Sequence, residues 1–130
     1  MGIPKEAKDL YNKAEEYIDN RQYENALDYL NKVLEITPNY AKALSTLGYV
    51  HVKLGFKEMS KKKVFEILKK ALDLNPNTPK TWNNMGKFYG DLENYEKALE
   101  IDPKYAKAWN NMGIVYSHLV SYVKAIECYE

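Results

Sequence analysis

Two stretches of this chain nearly repeat each other, Lys80-Thr81-Trp82-Asn83-Asn84-Met85-Gly86 and Lys107-Ala108-Trp109-Asn110-Asn111-Met112-Gly113, with Trp82 and Trp109 twenty-seven residues apart. Self-similarity on this scale constrains the fold more than any other feature, because a unit this small cannot bury its own apolar face and must stack on its neighbours. A third copy is Lys42-Ala43-Leu44-Ser45-Thr46-Leu47-Gly48, and a degenerate copy lies at Leu10, Lys13 and Ala14. Each copy is followed by a second block. Three of these blocks end alike, as Val33-Leu34-Glu35-Ile36, Ala71-Leu72-Asp73-Leu74 and Ala98-Leu99-Glu100-Ile101, and each then meets a proline, Pro38, Pro76 or Pro103.

Within each copy the apolar spacing is helical. Trp109, Met112, Gly113 and Tyr116 follow one another at intervals of three, one and three, which places them on one face of a helix. Ala125 and Tyr129 are expected on a second helix. In the first copy Leu10, Ala14 and Tyr17 form one stripe, and Ala26, Leu30 and Val33 another. The small residue recurring mid-stripe, Ala14, Gly48, Gly86 or Gly113, calls for a partner helix at close range. Glycine costs about 1 kcal/mol inside a helix, so a recurrent one implies packing that offsets the loss. Proline lacks an N–H and disfavours helix at the residue before it, so Thr37, Asn75 and Asp102 should each end a helix.

The chain has 130 residues, a net charge of +1 and one cysteine, Cys128. That charge argues against a strongly basic nucleic-acid surface, and a lone cysteine cannot form an internal disulfide. No apolar run approaches the roughly 20 residues that cross a bilayer, and residues 1–6 lack the apolar core of a secretion signal, so a cytoplasmic location is expected. Catalysis needs a nucleophile with a base, paired carboxylates in a pocket, or a metal. No such constellation and no phosphate-cradling glycine loop appears, so an enzyme is not expected, nor any cofactor. His51 takes a core aromatic position and reads as a packed histidine, while His118 has no second ligand near it. Lys61-Lys62-Lys63 opens an amphipathic helix carrying Val64, Ile67 and Leu68, and reads as its solvated face.

These residues resemble a known family. The chain is similar to tetratricopeptide-repeat proteins, whose thirty-four-residue unit carries Trp-x2-Leu-Gly-x2-Tyr, then Ala, an aromatic, Ala and Pro. Trp82, Met85, Gly86, Tyr89, Tyr95, Ala98 and Pro103 match this pattern, as do Trp109, Met112, Gly113, Tyr116, Ala125 and Tyr129. The resemblance implies an all-α fold, an α-solenoid of stacked antiparallel helix hairpins with about three and a half units in a single array over 1–130. The units are 7–40, 41–78 with an insertion near Phe56 to Lys61, 79–105 shortened, and 106–130 truncated. Aligning Gly90-Asp91 with the inter-helix turn makes residues 79–105 a hairpin trimmed by about one turn on each arm. The rival is one continuous helix from Pro79 to Ile101, which would support a domain-swapped dimer. The fourth unit stops at Glu130 without a polar capping helix, which suggests a fragment of a longer protein, or an end that packs on a partner or on a second copy. On the last of these readings a homo-oligomer would form, through that uncapped end or through the shortened third unit.

The resemblance also implies function: a protein-interaction scaffold whose first helices line a groove for an extended peptide. Its lining should lie at the second, fifth, ninth and twelfth places of each unit. These are Lys8, Tyr11, Glu15 and Ile18, then Lys42, Ser45, Tyr49 and Val52, then Lys80, Asn83, Lys87 and Gly90, and last Lys107, Asn110, Ile114 and Ser117. Lysine fills the second place throughout, which would attract an acidic peptide, with asparagines bonding its backbone. Lysine is also simply abundant here, and copied repeats inherit copied residues. Tyr11 and Tyr49 are candidates for flat contact area. Some family members clamp the acidic tails of chaperones with a set of Lys, Asn and Arg. Asn84 and Lys107 fit that clamp, but Ser45, Tyr49 and Asn111 stand where Lys, Asn and Arg belong, so the clamp is incomplete. The alternative to a binding scaffold is a structural, self-associating repeat module, domain-swapped or stacked end to end, without a peptide ligand.

Overall fold

Proline stops three helices at the expected residues. The computed structural model describes residues 2–129, with side chains described for 2–128. Its helices are α1 (Lys5–Asp19), α2 (Tyr23–Ile36), α3 (Ala41–Lys53), α4 (Lys61–Leu74), α5 (Pro79–Tyr89), α6 (Leu92–Ile101) and α7 (Ala106–Tyr129). Thr37, Asn75 and Asp102 cap α2, α4 and α6, each in extended or near-extended backbone that the following proline favours. Among the described residues there is no strand, so the chain is all-α and built of helix hairpins. It divides into two compact units, Met1–Asn77 and Thr78–Glu130.

In the first unit, α1 pairs with α2 and α3 with α4, and α2 lies against α3. The α1–α2 turn is closed by Arg21 in left-handed backbone (φ 58°), with the Gln22 N–H donating to the Tyr17 carbonyl at 2.8 Å. The longer α3–α4 connection, which carries the inserted residues, bends through Gly55 and Phe56, both at positive φ. It ends at Ser60, whose hydroxyl accepts from the Lys63 N–H at 3.3 Å and so caps α4. Ala7, Tyr11, Ala14, Leu30, Val33 and Val50 form the buried centre. Each large apolar side chain fully buried there contributes roughly 1.5–3 kcal/mol.

In the second unit, α5 and α6 form a short hairpin and α7 lies against both. Residues 79–101 are therefore two helices and not one. Gly90 takes left-handed backbone (φ 66°), which glycine adopts without steric penalty, and Asp91 caps α6 by accepting from the Asn94 N–H at 3.3 Å. Tyr95, Ala98, Ala108 and Met112 form the core, with Trp82, Leu92, Leu99 and Tyr105 packed around it.

The glycines show how close the hairpins are. A Cβ on Gly48 would sit 2.5 Å from Leu68 Cδ2, and one on Gly86 would sit 2.5 Å from Tyr95 Cε1. Each opposite helix thus presses a large side chain into a gap that only glycine leaves open. Gly113 departs from the expectation, since no atom lies within 4 Å of the corresponding point.

The reason is α7 itself. The sequence predicts a second helix around Ala125 and Tyr129, but residues 106–129 form one helix of 24 residues, so the half-hairpin at the end is not folded back. Between Tyr116 and Ala125 there is no Gly, Pro, Asn or Asp to make a turn, and the helix runs on through Ser117 and His118. Tyr129's side chain and Glu130 lie outside the described residues.

Candidate functional site

The first helices of the hairpins carry the residues expected to meet a ligand, and their fifth places behave differently from the rest. Tyr11 is buried, with 1% of its surface exposed. Its phenol donates to Glu15 Oε1 and shares a 2.8 Å hydrogen bond with Thr46 Oγ1, tying α1 to α3. Burial, reinforced by the bond to Glu15, pushes the phenol well above the ordinary tyrosine range. In the second unit Asn83, also buried, accepts from Asn111 Nδ2 at 3.0 Å, tying α5 to α7. In both units a fifth-place side chain reaches the sixth place of the next first helix, Thr46 or Asn111. Ser45 and Asn84 are likewise buried. Tyr11, Ser45, Asn83 and Asn84, expected to line the groove, are thus buried. Within each unit the next first helix reaches over this row, α3 onto Tyr11 and α7 onto Asn83.

Other expected positions stay at the surface. Lys8 and Lys42 are exposed on α1 and α3, and the Lys42 ammonium lies 5.0 Å from the centroid of the Tyr11 ring. That contact holds the cation over the buried aromatic that braces both helices. Tyr49 is half-buried, with the Lys53 ammonium 5.6 Å from its ring centroid, and burial raises its phenol pKa. In the second unit Lys80 and Lys87 are half-buried, and Lys107, Asn110 and Ile114 are exposed. Thr46 and Asn111, which brace the first helices, are not among the expected lining residues. Their signal in the sequence is the pairing of polar residues one place apart in successive copies.

The first unit also carries a recess. It encloses about 480 Å³ and is lined by Glu24, Asp28, Asn31, His51, Glu58 and Met59 among others. His51 is buried there, its Nδ1 has no hydrogen-bond partner, and desolvation lowers its pKa against the opposing pull of Glu58. Among the described residues no group of three or more His, Cys, Asp or Glu side chains is placed to hold a metal ion, and no helix is long and apolar enough to cross a membrane.

Comparison with known proteins supports the repeat reading. A family model described as anaphase-promoting complex, cyclosome, subunit 3 matches residues 19–101, and one described as TPR repeat matches residues 92–119. Among solved structures, a thermophilic TPR protein of Thermus thermophilus aligns with a TM-score of 0.78 at 19% identity, covering 92% of this chain and 69% of its own. An O-GlcNAc transferase mutant of Thermobaculum terrenum aligns with a TM-score of 0.75 at 22% identity over 84% of this chain. The match spans 22% of that transferase's length. The first TPR of Spaghetti, solved bound to HSP90 peptide SRMEEVD, aligns with a TM-score of 0.68 at 21% identity, covering 88% of this chain and 93% of its own. The first family model covers well over half of the chain, which therefore belongs to that tetratricopeptide-repeat family.

Proposed function

We propose that, as a tetratricopeptide-repeat protein, the chain is a protein-interaction scaffold whose first helices hold a peptide segment of acidic character. The observation that carries this reading is the exposed lysine at the second place of the first, second and fourth units, Lys8, Lys42 and Lys107, with Lys80 of the third half-buried. Beneath them the backbone is fixed by the Tyr11–Thr46 and Asn83–Asn111 bonds. A cation held on a braced scaffold loses less entropy on meeting a carboxylate than one on a mobile loop, which favours affinity. The peptide in the Spaghetti complex, SRMEEVD, has acidic residues near its end, so a related fold accommodates such a ligand. The residues of this chain that would meet one are Lys8, Lys42, Tyr49, Lys80, Lys87, Lys107, Asn110 and Ile114. A cytoplasmic location suits this role.

The test is titration of the chain with an acidic peptide and with the same peptide carrying Gln and Asn for Glu and Asp. Tighter binding of the acidic form, falling steadily as salt rises, is expected for exposed charges within a Debye length of about 10 Å at 0.1 M. Equal affinity for both peptides, or affinity indifferent to salt, sinks the electrostatic reading. Lys42→Ala and Lys107→Ala should each weaken binding by about two- to fivefold, the scale of a solvent-exposed ion pair. A second reading, self-association, is favoured by one observation: Ser117 to Cys128 of α7 are exposed throughout, large apolar side chains included.

A further inference from the structure

The residues inserted in the second unit help to build the recess at His51. Glu58 and Met59 of the α3–α4 connection line it together with Glu24, Leu27 and Asp28 of α2 and His51 of α3. Glu24, Asp28 and Glu58 are exposed and form its rim. No Lys or Arg is among the lining residues, and among the described residues no ion pair or hydrogen bond engages the three carboxylates. The rim thus presents three uncompensated negative charges around a space of about 480 Å³. Leu27 at 9% exposure and His51 at 3% make the floor. The His51 Nδ1 is buried there without a hydrogen-bond partner. An unpaired polar atom at depth carries a desolvation cost until a donor reaches it. Burial lowers the His51 pKa, so the ring is neutral at pH 7 and one of its nitrogens is an acceptor.

We propose that this recess takes an arginine side chain of a partner polypeptide, its guanidinium held among the three carboxylates with one N–H directed at His51 Nδ1. The site is separate from the lysine row and opposite to it in charge, since no residue of that row lines the recess. Arginine is the better occupant than lysine for two reasons. Its five N–H donors spread over a plane, so it can meet carboxylates at the rim and an acceptor at the floor together, whereas an ammonium carries three donors on one nitrogen. It is also the more weakly hydrated cation, and its apolar stem suits Leu27 and Met59. A metal ion is the poorer occupant, because among the described residues no group of three or more His, Cys, Asp or Glu side chains is placed to hold one.

The test is titration of the 130-residue chain with N-acetyl-arginine amide, followed by NMR at the His51 ring and the Met59 methyl. A lone side chain should bind with a Kd on the order of 1–10 mM, so both signals should move along a saturating curve. The His118 ring, which does not line the recess, should stay in place. N-acetyl-citrulline amide, which keeps the shape without the charge, should move neither signal, and N-acetyl-lysine amide should bind measurably more weakly. Glu58→Gln and Asp28→Asn should each weaken binding about two- to fivefold, the scale of an exposed ion pair. Both residues are exposed, so the helical circular dichroism should be unchanged. His51→Phe keeps a buried ring but removes the acceptor, and should weaken binding about tenfold when read at Met59. Signals at His51 and Met59 that do not move overturn the proposal, as does equal binding of the citrulline or lysine amide. Full affinity in E24Q/D28N/E58Q, or in folded His51→Phe, overturns it equally.

Discussion

Residues 79–101 and 106–128 are written with much the same residues at the same spacing, yet the first folds back into a hairpin and the second runs straight. Trp, Met, Gly and Tyr recur in register, and so does the Tyr-x-Lys-Ala block that follows. Among the positions that differ, the pair that bears on a turn is Gly90-Asp91 against Ser117-His118. Gly90 supplies the left-handed residue that ends α5, and Asp91 the carboxylate that starts α6. Ser117 and His118 supply neither, so each amide between the two halves of α7 continues the helical ladder. Apolar pattern therefore sets which faces want to be buried, while turn chemistry decides whether the chain can bring them together.

The largest effect expected from probing this contrast is at the two glycines. Gly86→Val should destabilise the chain by about 3 kcal/mol, because its branch would enter the Tyr95 ring in a packed core. Gly113→Val, measured in chain dilute enough to be monomeric, should be neutral or slightly stabilising, since valine is the better helix former by a few tenths of a kcal/mol. Urea unfolding of the two variants compares them directly, and equal losses would mean that Gly113 is packed after all.

Next in size is an alkaline limit peculiar to the closed hairpin. Burial pushes the Tyr95 phenol up to about 12. The folded chain thus holds this proton more tightly than the unfolded chain, whose tyrosine titrates near 10. The stability that Tyr95 contributes is complete below pH 10 and is lost as pH rises through about 12, a decline on the order of 2–3 kcal/mol. Tyr95→Phe should flatten that part of the profile, whereas Tyr122→Phe should leave it unchanged. The smallest effects belong to the turn. Gly90→Ala and Asp91→Ala should each cost about 1 kcal/mol, one through left-handed backbone and one through the lost cap. Ser117→Ala should stay within about 0.5 kcal/mol. Thermal unfolding of the three distinguishes a turn from a helix interior.

Much of the fold is legible in the sequence because it depends on local chemistry. The prolines after Thr37, Asn75 and Asp102 mark helix ends, and Gly48 and Gly86 mark close approach. The straight α7 is harder to read, because Ala125 and Tyr129 fit the second half of a repeat and draw attention from the absence of any turn residue before them. The surface is less legible. Periodicity assigns Tyr11 and Asn83 to the same helix face as Lys8 and Lys80, but it carries no measure of depth. Depth is set by the next first helix, whose Thr46 or Asn111 closes over that row.

The two tryptophans occupy equivalent places in the repeat but different surroundings. Trp82 is half-buried, with the Lys97 ammonium 4.8 Å from its ring centroid. Trp109 is 55% exposed, its indole N–H donating to the Pro103 carbonyl at 2.8 Å. Their fluorescence should differ accordingly, a bluer emission from the first and a redder, more readily quenched one from the second. Self-association that covers Trp109 would take its indole out of water and leave Trp82 as it is. The chain thus carries an internal optical reference beside an optical sensor, and a blue shift of the red component with concentration would report assembly without any label.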